Sequence, residues 1–320
     1  MCWSVFEHQI SELDRPARRS GPTAIAIAWL VLLLASCNTA PVPPPARISR
    51  QGDEIVVAGQ YFHTGTRVVT WTDPGGYDAY QVAPPSRPRE ALLNRQSGAP
   101  ELAALQGAVD QLVLHYDGCG LSKICFKTLR ERRLNVHFLL DLDGTVYQTL
   151  DLRERALHAT TSNDRSIGIE IANIGAFPPG DTAMLDKWYR PDRRGRIFVR
   201  VPAGAGDPCF RTPGFAARPA RDGLIRGVVQ DKALVQYDFT PEQYAALSRL
   251  TAALCTVFPR IKPDIPRDAS GRLVTRQLPE AALANFHGIL GHWHIQANKT
   301  DPGPAFQWEK LLTGIRQSVR

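Results

Sequence analysis

Apolar residues recur along this chain in two rhythms, every second position in short runs and every third or fourth in a few longer ones, and the change of rhythm marks its elements. Glu54-Ile55-Val56-Val57-Ala58 and Arg67-Val68-Val69-Thr70-Trp71, followed by a turn at Asp73-Pro74-Gly75-Gly76, predict a small β-rich lead-in. Gln111-Leu112-Val113-Leu114 predicts a short buried strand ending at His115. Residues 121–133 predict a helix with a basic tail, and residues 136–142 and 145–149, joined by Asp143-Gly144, predict a hairpin. Ser166-Ile167-Gly168-Ile169-Glu170-Ile171-Ala172 alternates as a strand does, with the three isoleucines on one face and Glu170 on the other. Residues 177–235, rich in Gly, Pro and Arg, read as an irregular insertion. Thr240-Pro241-Glu242-Gln243 then opens a helix with a capping box, and Tyr244, Leu247, Leu250, Leu254 and Phe258 follow at helical spacing. A last strand, 288–291, ends at His292, and residues 306–315 predict a final helix.

This order predicts an α/β domain over 106–320, behind the lead-in at 53–105. A chain of 320 residues is long enough to bury a substantial core. Its formal charge of +7 suits an anionic polymer, nucleic acid or anionic lipid equally well, and alone selects none of them. The N-terminus is more informative. Arg15, Arg18 and Arg19 precede an apolar stretch at 24–35, too short for a comfortable membrane span, and the stretch runs into Leu34-Ala35-Ser36-Cys37. That ending resembles a bacterial lipobox. Residues 1–37 are therefore expected to be a lipoprotein signal peptide, with Cys37 the acylated residue and 38–52, beginning Asn38-Thr39-Ala40-Pro41-Val42-Pro43-Pro44-Pro45, a stiff tether. The mature protein is expected to be periplasmic and lipid-anchored. Asn38 in place of Asp favours the outer membrane.

Candidate chemistry gathers at the strand ends. His115 and His292 each follow an apolar strand, and Asp301 lies in the turn-forming Lys299-Thr300-Asp301-Pro302-Gly303. Two imidazoles and a carboxylate are a recognised catalytic zinc set. Taken alone, these three are too far apart in sequence to make the case. Cys119 and Cys125 follow His115 closely, and Cys209 and Cys255 either pair or stay apart.

Five segments in this order resemble the amidase type 2 family, which includes the peptidoglycan recognition proteins. They are Val113-Leu114-His115-Tyr116; Val136-His137-Phe138-Leu139-Leu140-Asp141 with Asp143-Gly144-Thr145-Val146-Tyr147-Gln148; His158-Ala159; Ser166-Ile167-Gly168-Ile169-Glu170; and Gly291-His292-Trp293-His294 with Lys299-Thr300-Asp301-Pro302-Gly303. The resemblance implies a central mixed β-sheet flanked by helices and a zinc ion on His115, His292 and Asp301. It implies Glu170 as general base for the attacking water and Lys299 as the cation that stabilises the oxyanion. His137, His158 and Asn173 are expected in or beside the substrate cleft, and His294 in a structural role. A disulfide between Cys119 and Cys125 is likewise implied. The alternative, that these cysteines join His115 around a metal, would make a closed structural site. The family departs from this chain at Val136, where some members have Tyr, and in the spacing of His292 and Asp301, one residue shorter here than is common. The function expected is hydrolysis of the amide between N-acetylmuramic acid and L-alanine by a monomer acting on peptidoglycan or muropeptides, with no nucleic-acid partner. A non-catalytic peptidoglycan-binding lipoprotein is the alternative. Arg193, Arg194, Arg196 and Arg200 of the insertion are candidates to wall the groove.

Overall fold

The structure, a computed structural model, describes residues 50–81 and 101–318. The expected signal peptide, Cys37 and the tether up to residue 49 lie outside the described residues. No helix among the described residues is long and apolar enough to cross a membrane.

A hairpin of β1 (Glu54–Val57) and β2 (Gln60–His63) comes first, turned by Ala58 and Gly59 at φ 50° and 73°. Both turn residues being left-handed matches the twist of the paired strands. The remaining elements are β3 (Val68–Thr70), α1 (Glu101–Ala108), β4 (Gln111–Tyr116), α2 (Ser122–Glu131), β5 (Phe138–Leu140), β6 (Val146–Gln148) and β7 (Ser166–Ile171). There follow α3 (Ala183–Trp188), β8 (Tyr189–Pro191), β9 (Ile197–Val199), β10 (Ile225–Val229), β11 (Lys232–Gln236), α4 (Pro241–Val257), α5 (Glu280–Asn285), β12 (Gly288–Gly291) and α6 (Trp308–Ser318).

Six strands form one mixed sheet in the order β12-β4-β7-β5-β6-β3, in which β5 and β6 alone run antiparallel. The lead-in thus supplies the edge strand β3, paired with β6, while β1 and β2 form a two-stranded sheet of their own. One face of the sheet packs Leu112, Leu114, Ile167, Ile169 and Ile171 against Tyr244, Leu247, Leu250 and Leu254 of α4 and Trp308, Leu311 and Ile315 of α6. Each such aliphatic side chain contributes about 1.5–3 kcal/mol on full burial. The start of α4 is fixed as its sequence predicts: Thr240 Oγ1 accepts from Gln243 N at 3.0 Å, and Gln243 Oε1 accepts from Thr240 N at 2.9 Å. Gln243 Nε2 also donates to Ala172 O at 2.8 Å, which ties the helix to the end of β7.

Strand alternation sends the intervening residues to the other face. The register pairs His115 with Glu170, Glu170 with Leu139, and Leu139 with Tyr147, so these four stand in one row across four strands. The segment at 177–235 is more regular than its composition predicts: it holds α3 and the hairpins β8–β9 and β10–β11, with a bridge between Phe177 and Val235 at its base. Its strands are too short and too exposed to show an apolar rhythm. Arg196 pairs with Asp192 of its own hairpin at 2.6 Å.

Candidate metal centre

Strand pairing brings the two histidines together. β12 lies parallel to β4 with Gly291 opposite Leu114, so His292, the first residue past β12, comes out beside His115, which is still within β4. His292 opens a single 3-10 turn, and the chain then loops back through Asp301. His115 Nδ1 lies 2.8 Å and His292 Nδ1 3.0 Å from Asp301 Oδ2, and the two Nδ1 atoms are 3.0 Å apart. All three side chains are buried.

These donors fit a divalent cation. Metal–ligand bonds of about 2.0–2.1 Å in a tetrahedron set donor atoms about 3.3 Å apart, a few tenths of an ångström from the spacing found. Three protein donors are the number that leaves a position for a reacting molecule, whereas a structural zinc site uses four. The electrostatics agree. Burial, then the charge of His292, push the His115 imidazole down to about 4, so it is neutral and able to ligate near neutral pH. Burial would raise Asp301, but the charge of His292 and hydrogen bonds to both imidazoles hold it well below the usual carboxylate range.

The outward ring nitrogens are engaged by the protein. His292 Nε2 meets Gln296 Oε1 at 2.7 Å. His115 Nε2 meets His158 Nδ1 at 3.1 Å, and His158 Nε2 in turn lies 3.3 Å from Ser166 Oγ. Gly168 makes room for this second contact, since a Cβ there would stand 2.6 Å from His158 Nδ1. Carboxylate, carbonyl or similar partners on the far nitrogen orient a metal-ligating imidazole and set its tautomer.

Glu170 lies beside His115 in the register of β4 and β7. Burial, reinforced by the charges of Asp301 and Asp117, raises its carboxyl well above the ordinary value, against the pull of Lys299 and Arg132. Lys299 is partly buried; desolvation lowers its amine while Asp301 and Glu170 draw it back up. His115, His292 and Asp301 thus share one point, with Glu170 next to His115 in the sheet and Lys299 near enough to feel the charges of Asp301 and Glu170.

The loop bearing Lys299 and Asp301 is held from the inserted segment. Gln236 of β11 donates to Pro302 O at 3.1 Å and accepts from Ala305 N at 3.0 Å. Gly303, at φ 87°, takes a backbone conformation and a close approach to Gln236 that a side chain would not permit. Gln230, in the β10–β11 turn, donates to Trp293 O at 2.8 Å and to Gln296 O at 3.1 Å. It adopts φ 53°, a left-handed conformation that a non-glycine residue keeps only where surrounding contacts hold it.

Other expectations are corrected. His137 is fully buried rather than exposed, accepting from Gly168 N at 3.1 Å and bonded to Glu154 O at 3.0 Å, with its ring 5.9 Å from that of His158. Asn173 is also buried within the scaffold, donating to Tyr237 O at 3.1 Å and accepting from Gly175 N at 2.9 Å. His158 alone of the three is at the centre. His294, read as structural, accepts from Gly291 N at 2.9 Å and reaches Val274 O at 2.7 Å. Cys119 and Cys125 are both buried at the start of α2, and Cys119 Sγ also donates to Thr128 Oγ1 at 3.8 Å. Neither joins the His115 group, so the sulfur-rich alternative falls. Cys209 is exposed and Cys255 half-buried, and they do not pair. Gln296, Gln236 and Gln230 were not singled out by sequence. Only Gln296 carried a readable signal, four residues after His292 and so on the same side of a helical turn.

A family model described as N-acetylmuramoyl-L-alanine amidase matches residues 105–304. No curated protein matches the chain. Among solved structures, a complex of the N-acetylmuramyl-L-alanine amidase AmiD from E. coli with the substrate anhydro-N-acetylmuramic acid-L-Ala-D-gamma-Glu-L-Lys is similar at 19% identity and a TM-score of 0.36, over 69% of this chain and 60% of that one. This chain thus spans less than two thirds of AmiD's length. A selenomethionine derivative of AmpD is similar at 21% identity and a TM-score of 0.30, over 78% of this chain and 93% of that one. The endolysin amidase LysCS from Clostridium intestinale URNW is similar at 13% identity and a TM-score of 0.33, over 66% and 86%.

Proposed function

The chain belongs to the N-acetylmuramoyl-L-alanine amidase family, and on that premise we propose that it is a zinc-dependent amidase that cuts between N-acetylmuramic acid and the L-alanine of the peptidoglycan stem. The observation that carries this reading is the meeting of His115, His292 and Asp301 at 2.8–3.0 Å with Glu170 beside them in the sheet.

Zinc on the three donors would lower the pKa of a water from about 15.7 to about 7, supplying a nucleophile at neutral pH. Glu170, its basicity raised by burial, accepts a proton from the attacking water and delivers it to the departing nitrogen. Lys299 places positive charge beside the carbonyl oxygen as it becomes an oxyanion, an interaction on the order of 3 kcal/mol in comparable sites. His158 and Gln296 orient the two imidazoles. The carbon–nitrogen bond breaks, the muramic lactyl group leaves as a carboxylate and the stem peptide with a free amine.

Purified protein incubated with muropeptides, with and without a chelator, tests the reading. Chelator-sensitive release of free stem peptide, restored by zinc, is the expected result. Binding without release in the presence of zinc would reduce the protein to a peptidoglycan-binding module. The proposal extends to place: a lipid on Cys37 holding the enzyme at the periplasmic side of the outer membrane, where it acts in wall turnover or recycling. The Leu34-Ala35-Ser36-Cys37 run and the prolines after it support this. Cys37→Ser is expected to move the protein from the membrane fraction to the soluble one.

A further inference from the structure

Two imidazoles meet the metal position through Nδ1, and an imidazole can ligate there only if its proton sits on Nε2. For His115 the partner is another imidazole, His158, which can donate or accept and so does not by itself choose a tautomer. At His292 the partner is different in kind. Gln296 Oε1, an amide oxygen, stands 2.7 Å from Nε2 and can only accept, so it requires the proton on that nitrogen and leaves the lone pair on Nδ1.

We propose that Gln296 is a positioning residue that holds His292 in its metal-binding tautomer and orientation, and that the inserted β10–β11 hairpin keeps Gln296 in place. The backbone supports the assignment. Gln296 N donates to His292 O at 3.1 Å, so one helical turn brings the two side chains to the same side. Gln296 O accepts from Gln230 Nε2 at 3.1 Å and from Lys299 N at 3.1 Å, which fixes the far end of that turn to the hairpin and to the segment leading to Asp301. The hydrogen bond therefore joins a ring nitrogen to a residue whose own main chain is anchored twice.

The inference rests on the zinc reading above. Its test is zinc affinity, measured by chelator competition on the metal-free full chain, together with the melting temperature of the metal-free protein. Gln296→Leu is expected to weaken zinc binding about 10–100-fold, the usual cost of losing such a partner, while leaving the metal-free melting temperature unchanged. Gln296→Glu, which keeps an acceptor at the same reach, is expected to hold affinity within a few-fold of wild type. Unchanged affinity in Gln296→Leu would overturn the inference, as would equal losses in the two variants or a metal-free melting temperature that falls in Gln296→Leu. Failure of the wild-type chain itself to bind zinc would instead overturn the metalloenzyme reading.

Discussion

The two halves of the metal centre are built by different means. His115 and Glu170 stand on β4 and β7, neighbours inside the sheet with strands on both sides. Their separation is set by the strand ladder, which holds whatever side chains occupy it. His292, Lys299 and Asp301 come from a single segment of ten residues beyond the edge strand β12. That segment has no ladder, and Gln230, Gln236 and Gln296 take its place. A sheet positions chemistry generically; a loop must be positioned by named partners.

Removing a donor from either half should produce the largest effect. His292→Ala, Asp301→Ala and His115→Ala are each expected to lose zinc and to fall to background turnover, as metal content measured beside stem-peptide release will show. If His115→Ala kept its zinc while the loop variants lost theirs, the two halves would not share one ion. Next in size, Glu170→Ala is expected to keep zinc and lose about 10²–10⁴-fold in kcat, the span associated with a general base. Zinc loss equal to that of His292→Ala would contradict the role given to Glu170.

The comparison predicts a third, smaller effect that separates the halves. Gln236→Leu strips Pro302 O and Ala305 N of buried partners and should cost about 1–3 kcal/mol of stability, with weaker zinc binding as the Asp301 loop loosens. Urea denaturation alongside zinc titration reads both. A stability loss with wild-type zinc affinity would confine the inserted hairpin to supporting the fold. The least effect on the centre is expected from Asp141, in the β5–β6 turn on the sheet side. Burial, with the charges of Asp143 and Asp117 adding to it, raises its carboxyl to about 7. The folded protein then holds a proton that the unfolded chain releases near the ordinary aspartate value of 3.8, so stability falls as pH rises between those limits, at no more than about 1.4 kcal/mol per pH unit. Asp141→Asn, which still accepts from Leu142 N, is expected to flatten that slope without changing zinc affinity. A slope unchanged in the variant would assign the pH dependence elsewhere.

The strand half is legible in the sequence. Gln111-Leu112-Val113-Leu114-His115 and Ser166-Ile167-Gly168-Ile169-Glu170 carry the period of two that puts His115 and Glu170 off the apolar face, and the Thr240 capping box fixes the start of the helix beneath them. The loop half was legible only as residue types. Nothing local to His137 or Asn173 distinguishes an exposed cleft residue from one hydrogen-bonded inside the scaffold, and both are buried and hydrogen-bonded there.

Local pattern alone determined that this chain builds strands ending in histidines and a capped helix to cover them, since apolar period and capping depend on residues a few positions apart. Which distant side chains share a point, which imidazole nitrogen faces inward and how an apparently irregular insertion braces the Asp301 loop were decided by tertiary structure. Those are relations between residues up to 186 positions apart, and they exist only once the register of β12 on β4 has been set.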